Sequence, residues 1–156
     1  MENVIDRLFQ EWNLLGGDVL ISGAYSQSRK RAPEAVIAES TAYCRDSSRL
    51  MWVTLDWMFH HVAELDDQRL VEQTRESGDL SVLGVLCDAA RQRRPHSKLD
   101  NILRSCSPSR ELATFFHRVA KSPLASRLTR ENPSETFLRW NYLCNELRFL
   151  DKSGGA

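Results

Sequence analysis

Residues 49–65 read RLMWVTLDWMFHHVAEL, the most apolar helical run in the chain. Leu50, Met51, Trp52, Val53, Leu55, Trp57, Met58, Phe59, Val62 and Leu65 cover well over half of a helical wheel. A surface helix carries one narrower apolar stripe, so the spacing predicts a helix enclosed on several sides, with the rest of the fold packed around it. Its polar positions are not scattered. Arg49, Asp56, His60, Glu64 and Asp67 recur at intervals of seven, four, four and three, which places them on one line down the helix. That line faces either solvent or a functional cleft.

Outward from this run, the punctuation is that of short helices. Glu2 to Leu15 carries apolar residues at three- and four-residue intervals and stops at Gly16-Gly17. The segment DVLISGAY, 18–25, fits a short strand and a helical turn equally well. Pro33 opens a helix running to about Cys44, and the composition from Asp66 to Glu76 stays helical until Ser77-Gly78. Asp79 is placed to cap a helix through Leu80, Leu83, Leu86, Cys87 and Ala90, which Pro95 closes. Ser97 with Asp100 resembles a capping box, while Ser107-Pro108 and Ser122-Pro123 each set a capping hydroxyl before a proline at the first helical position. Asn132-Pro133, with Glu135, opens a last helix that buries Phe137, Trp140, Leu143, Cys144, Leu147 and Leu150, and SGGA beyond it reads as a frayed end.

These elements predict one all-α domain, 1–156, of eight or nine short helices. Short connections make neighbours antiparallel, and with no fixed-period repeat a compact bundle is favoured over a short stack of helical hairpins. Composition agrees. The chain is 42% hydrophobic and 27% charged, as in an ordinary globular protein, and its 21 basic residues balance 21 acidic ones, which argues against binding nucleic acid or anionic membrane through net charge. No run approaches the ~18 apolar residues of a membrane span, and the start lacks a signal-peptide pattern, so a cytoplasmic setting is expected. Cys44, Cys87, Cys106 and Cys144 form no closely spaced ligand pair. They read as small apolar residues in a reducing compartment, with no structural metal and no cofactor expected.

Two constellations could carry chemistry. Asp56, His60 and Glu64, one helical turn apart, could share a metal ion or relay a proton, provided a second helix completed the set; otherwise they are the wet edge of a buried helix, the reading we favour. The segment RQRRPHSK supplies Arg91, Arg93, Arg94, His96 and Lys98, to which Arg104 or the cluster Arg29, Lys30 and Arg31 could be joined as a phosphate-contacting patch. Against that, basic residues at a helix C-terminus are favoured by the helix dipole with no partner at all. Residues 110–132 scan as two helices joined by a turn, with Pro123 opening a second helix that bears Ser126, Arg127, Thr129 and Arg130; any helical bundle contains such a pair. There is no glycine-rich phosphate loop and no nucleophile-elbow or dinucleotide motif.

The leading expectation is therefore a non-enzymatic interaction or adaptor domain whose partner is another protein or a second copy of the chain. Trp12, Trp52, Trp57 and Trp140, more indoles than a core of this size requires, motivate it. A nucleic-acid-binding regulator using residues 91–98 is the alternative, and a metal-dependent or histidine-based hydrolase or nuclease the second. No membrane partner is expected.

Overall fold

A computed structural model describes residues 3–17 and 30–145. Among them the fold is all-α: α1 (Val4–Leu14), α2 (Pro33–Thr41), α3 (Ser48–His61), α4 (Asp67–Ser77), α5 (Leu80–Arg93), α6 (Ser97–Leu103), α7 (His117–Ala120), α8 (Pro123–Glu131) and α9 (Glu135–Arg139). Two-residue strands β1 (Ala113–Thr114) and β2 (Tyr142–Leu143) pair in parallel, and short 3-10 turns occupy Cys44–Asp46 and Val62–Glu64. No helix among the described residues is long and apolar enough to cross a membrane.

Several helix starts follow the sequence directly. Asn3 caps α1 by accepting from the Ile5 amide at 2.8 Å, and Gly16 at φ 85° takes the left-handed turn after it. Asp66 caps α4 through the Arg69 amide at 3.1 Å. Asp79 caps α5, its Oδ1 accepting from the Ser81 and Val82 amides at 2.9 and 3.3 Å. Ser122 caps α8 ahead of Pro123 as the spacing required.

Elsewhere tertiary contacts displaced the local signals. The expected 49–65 helix ends at His61 and tightens into the Val62–Glu64 turn. α6 is capped by His96, whose Nδ1 accepts from the Lys98 amide at 3.1 Å, so Ser97 is the first helical residue and not the cap. Ser107-Pro108 opens no helix. Ser109 instead donates its amide to Trp140 O at 3.1 Å and accepts from Asn141 Nδ2 at 2.9 Å, tying this segment to the turn after α9. The last helix is cut short at Arg139 for the same reason. Asn141 turns left-handed at φ 66°, a conformation asparagine tolerates, and the chain leaves the helix to pair Tyr142 and Leu143 with Ala113 and Thr114. Tyr142 is buried there with its hydroxyl 2.6 Å from Ser81 Oγ, and its ring meets Phe115 edge-on at 5.0 Å. Segment 18–25, Leu147, Leu150 and the SGGA end lie outside the described residues.

The core also has a different centre from the one expected. α3 buries Leu50, Met51, Val53, Leu55, Trp57 and Met58. α5, however, is buried continuously from Ser81 to Cys87 and again at Ala89 and Ala90, and it packs against α2, α3, α4, α6 and α9. Small residues let its neighbours approach: a Cβ on Gly84 would lie 2.3 Å from the Trp140 ring. α3 keeps a less buried line at Arg49, Asp56 and His60, whereas Ser81 to Cys87 of α5 is covered on every side.

Candidate functional site

The fold brings the two constellations read from the sequence together, at the end where the α3 C-terminus meets the α5–α6 connection. The Arg94 guanidinium lies over the Phe59 ring at 5.1 Å, and Lys98 Nζ donates to Ala63 O at 2.6 Å. What assembles there is an engaged set of side chains. Arg91 pairs with Asp100 at 3.3 Å, His96 is the α6 cap, and Arg93 also has a partner. Each of the five residues has a partner within the fold, while Arg91, Arg93 and Arg94 remain exposed at the surface. Arg104 donates to Asn101 Oδ1 at 2.9 Å, and Arg31 is committed elsewhere, as described below.

The Asp56–His60–Glu64 line divides. His60 Nδ1 lies 2.8 Å from Asp56 O and 3.5 Å from its Oδ1, one turn apart on α3. Glu64 pairs with His61 Nδ1 at 2.6 Å and not with His60, because the tightened turn at Val62–Glu64 rotates it off the α-helical register. His61 stacks on Trp57 with ring centroids 4.4 Å apart. Among the described residues no three His, Cys, Asp or Glu side chains come together to hold a metal ion.

Two polar clusters that the sequence reading did not foresee are structural. Arg7, Glu11, Arg31 and Glu39 alternate in charge around a ring joining α1 to α2. Arg31 Nη2 donates to Glu11 and Glu39, each at 2.6 Å, Arg7 donates to Glu11 at 3.3 Å, and Arg7 closes the ring on Glu39. Burial penalises the Glu39 charge, but the hydrogen bonds and positive charge of Arg7 and Arg31 outweigh it and hold the carboxyl below its usual range. Asp88 on α5 is the second hub. It accepts from Arg139 Nε and Trp140 Nε1, each at 2.9 Å, and from Gln92 Nε2 at 3.0 Å, so it too is held below the ordinary carboxylate range despite its burial. Each depends on a contact between residues far apart in sequence, 32 positions for Arg7–Glu39 and 52 for Asp88–Trp140, a separation at which no spacing rule operates.

Among the described residues Leu14, Leu112, Leu124, Leu128 and Leu138 are the exposed large hydrophobics, and two of them share one face of α8. Its inner side is anchored: Ala125 packs against the core, Thr129 is buried with its hydroxyl on Ala125 O at 2.8 Å, and Ser126 Oγ donates to Val119 O at 2.9 Å. Leu124 and Leu128, one turn apart on the outer side, are 62% and 46% exposed. Basic residues surround them. Lys121, Arg127 and Arg130 are exposed, and Glu131 sits 3.5 Å from Arg127 at the C-terminal end. The polar residues of this helix are therefore split, with Arg127 and Arg130 exposed. Ser126 and Thr129 are spent inward, while the leucines face out. The four-residue interval between Leu124 and Leu128 is the sequence signal for this face.

The tryptophans do not supply an exposed surface. Trp12 and Trp57 are buried, donating to Ser40 Oγ and Leu15 O at 3.1 Å each, and Trp52 and Trp140 pack against the core. With this geometry in view, comparison with known proteins adds no relative: no family model, curated protein or solved structure matches the chain.

Proposed function

We propose that this chain is a non-enzymatic protein–protein interaction domain and that the outer face of α8 is where its partner, another protein or a second copy, engages. The observation that supports it is the pair Leu124 and Leu128, exposed one turn apart on a helix whose other side is anchored to the body. Full burial of a leucine side chain stabilises by roughly 1.5–3 kcal/mol, so a partner that covers both leucines gains from their burial. The flanking charges, Lys121 before the helix and Glu131 at its end, bias the orientation in which a partner engages. A reducing cytosol is the compartment we propose, since all four cysteines are free and Cys44, Cys87 and Cys144 are buried.

The test uses two differently tagged copies in one cell, with affinity capture and identification by mass. Capture with the parent chain should retain a defined protein, or the second tag, and Leu124→Asp with Leu128→Asp should lose it while the helical circular dichroism and melting temperature stay unchanged. The same retained set from parent and double variant would overturn the assignment to α8. Retention of RNA or DNA that disappears in Arg93→Ala with Arg94→Ala would replace this reading with the nucleic-acid one.

A further inference from the structure

Resting on that reading, we propose that the occupant of the α8 face is α8 of a second copy, packed antiparallel about a two-fold axis. The reason is that the face is complementary to itself. In an antiparallel pair centred on Ser126, Leu124 of one copy meets Leu128 of the other, and the two-fold repeats the contact. The same centring sets residue 121 against residue 131. Lys121, exposed and just before the Ser122 cap, stands at the N-terminal end of α8, and Glu131 closes its C-terminal end. Each end of the pair therefore brings an ammonium to a carboxylate, and a positive helix end to a negative one.

The groups needed are open to solvent. Glu131 already lies 3.5 Å from Arg127, but both side chains are 60% or more exposed, and a carboxylate has a second oxygen for Lys121 of the partner copy. The partner-facing side carries no buried charge. Arg130 points elsewhere on the wheel from Leu124, and Ser126 is held by Val119 O. A parallel pairing is disfavoured, since it would place Lys121 on Lys121 and Glu131 on Glu131. The helix has nine residues, so the pair buries less than the ~800 Å² per partner of a standard stable interface. The expected product is a weak, concentration-dependent dimer with a dissociation constant in roughly the micromolar to millimolar range.

Sedimentation equilibrium of the full chain, from about 5 µM to 1 mM at low salt, tests it. The expected result is a monomer–dimer equilibrium that Leu124→Asp abolishes. Lys121→Glu alone and Glu131→Lys alone should each weaken it about three- to tenfold, since each puts like charges together at both ends. The double variant Lys121→Glu with Glu131→Lys restores opposite charges in the same register and should recover most of the parent affinity. A parent chain that remains monomeric throughout overturns self-pairing, as does a dimer indifferent to Leu124→Asp or unrescued by the double swap. The wider reading is judged separately: a monomeric chain whose Leu124→Asp, Leu128→Asp variant still loses a captured foreign protein keeps α8 as the interaction face, and one that loses nothing ends both.

Discussion

Replacing Gly78 by alanine isolates one close approach in the fold. Gly78 follows α4 at φ −127°, an angle any residue adopts, so the substitution carries no backbone strain of its own. The obstacle is space. A Cβ there would lie 2.2 Å from Ala38 O and 2.3 Å from Thr41 Oγ1, where a carbon and an oxygen ordinarily stay beyond about 3 Å. The first of these atoms is backbone of the buried helix α2, which has no rotamer by which to retreat. The second is pinned, because Thr41 Oγ1 donates to Ala38 O at 2.6 Å and accepts from the Asp79 amide at 2.9 Å. Relief requires α2 and the α4–α5 turn to part by about an ångström, which stretches the Thr41–Asp79 bond and disturbs the cap of the central helix. Overpacking of this kind costs about 1–3 kcal/mol and a compromised buried hydrogen bond about 1 more, offset by about 0.4–1 kcal/mol from the stiffer unfolded chain. The net expectation is a loss of about 1–3.5 kcal/mol, or a fall of roughly 2–14 °C in melting temperature for a domain of this size. Urea unfolding followed by circular dichroism measures it, with Gly16→Ala as the reference: that position has φ 85° and nothing within 4 Å of the added carbon, so its cost is the left-handed backbone alone, about 1 kcal/mol. A Gly78→Ala loss no larger than the Gly16→Ala loss would refute the reasoning.

Stability should decline as pH falls below about 5, because Glu39 and Asp88 are held below their ordinary carboxylate range in the folded chain, so the stabilisation present above the unfolded pKa is lost as pH drops through the folded one. Unfolding curves for Glu39→Gln and Asp88→Asn should each show a shallower acid limb, and an unchanged limb would assign the acid loss to other groups. At neutral pH, Asp88→Asn should cost about 1–3 kcal/mol, since Arg139, Trp140 and Gln92 lose a charged acceptor and the new amide points N–H at donors; a loss below half a kilocalorie would place the hub outside the folded state's energetics. Thiol reagents should react with Cys44 and Cys87 only as fast as the native chain opens, since both are fully buried and burial raises their thiol pKa values, and rapid native-state labelling at either would contradict the packing.

Which parts of the molecule were legible beforehand follows from the range of the forces involved. The all-α class, the helix starts at Asp79 and Ser122, and the stop at Gly16 are decided by groups within four residues of one another, so their signals lie on the line of the sequence. The end of the last helix was not legible. Its periodicity continues past Arg139, and what ends it is the burial of Tyr142 against Phe115 and Ser81, together with the bonds of Asn141 and Trp140 to Ser109. The same holds for the polar groups. Residues 91–98 and Asp56 to Glu64 were visible as clusters, but whether a charge is available or spent depends on partners such as Phe59, Ala63 and Asp100, which only the packing of α3, α5 and α6 brings within reach. The α8 leucines were the converse case: their four-residue interval was plain, and an amphipathic stripe is ordinarily the buried one. The sequence by itself determined that α8 has two unlike faces. Which of them meets the body was decided in three dimensions, where Ser126 reached Val119 O and Thr129 was buried, leaving Leu124 and Leu128 in water.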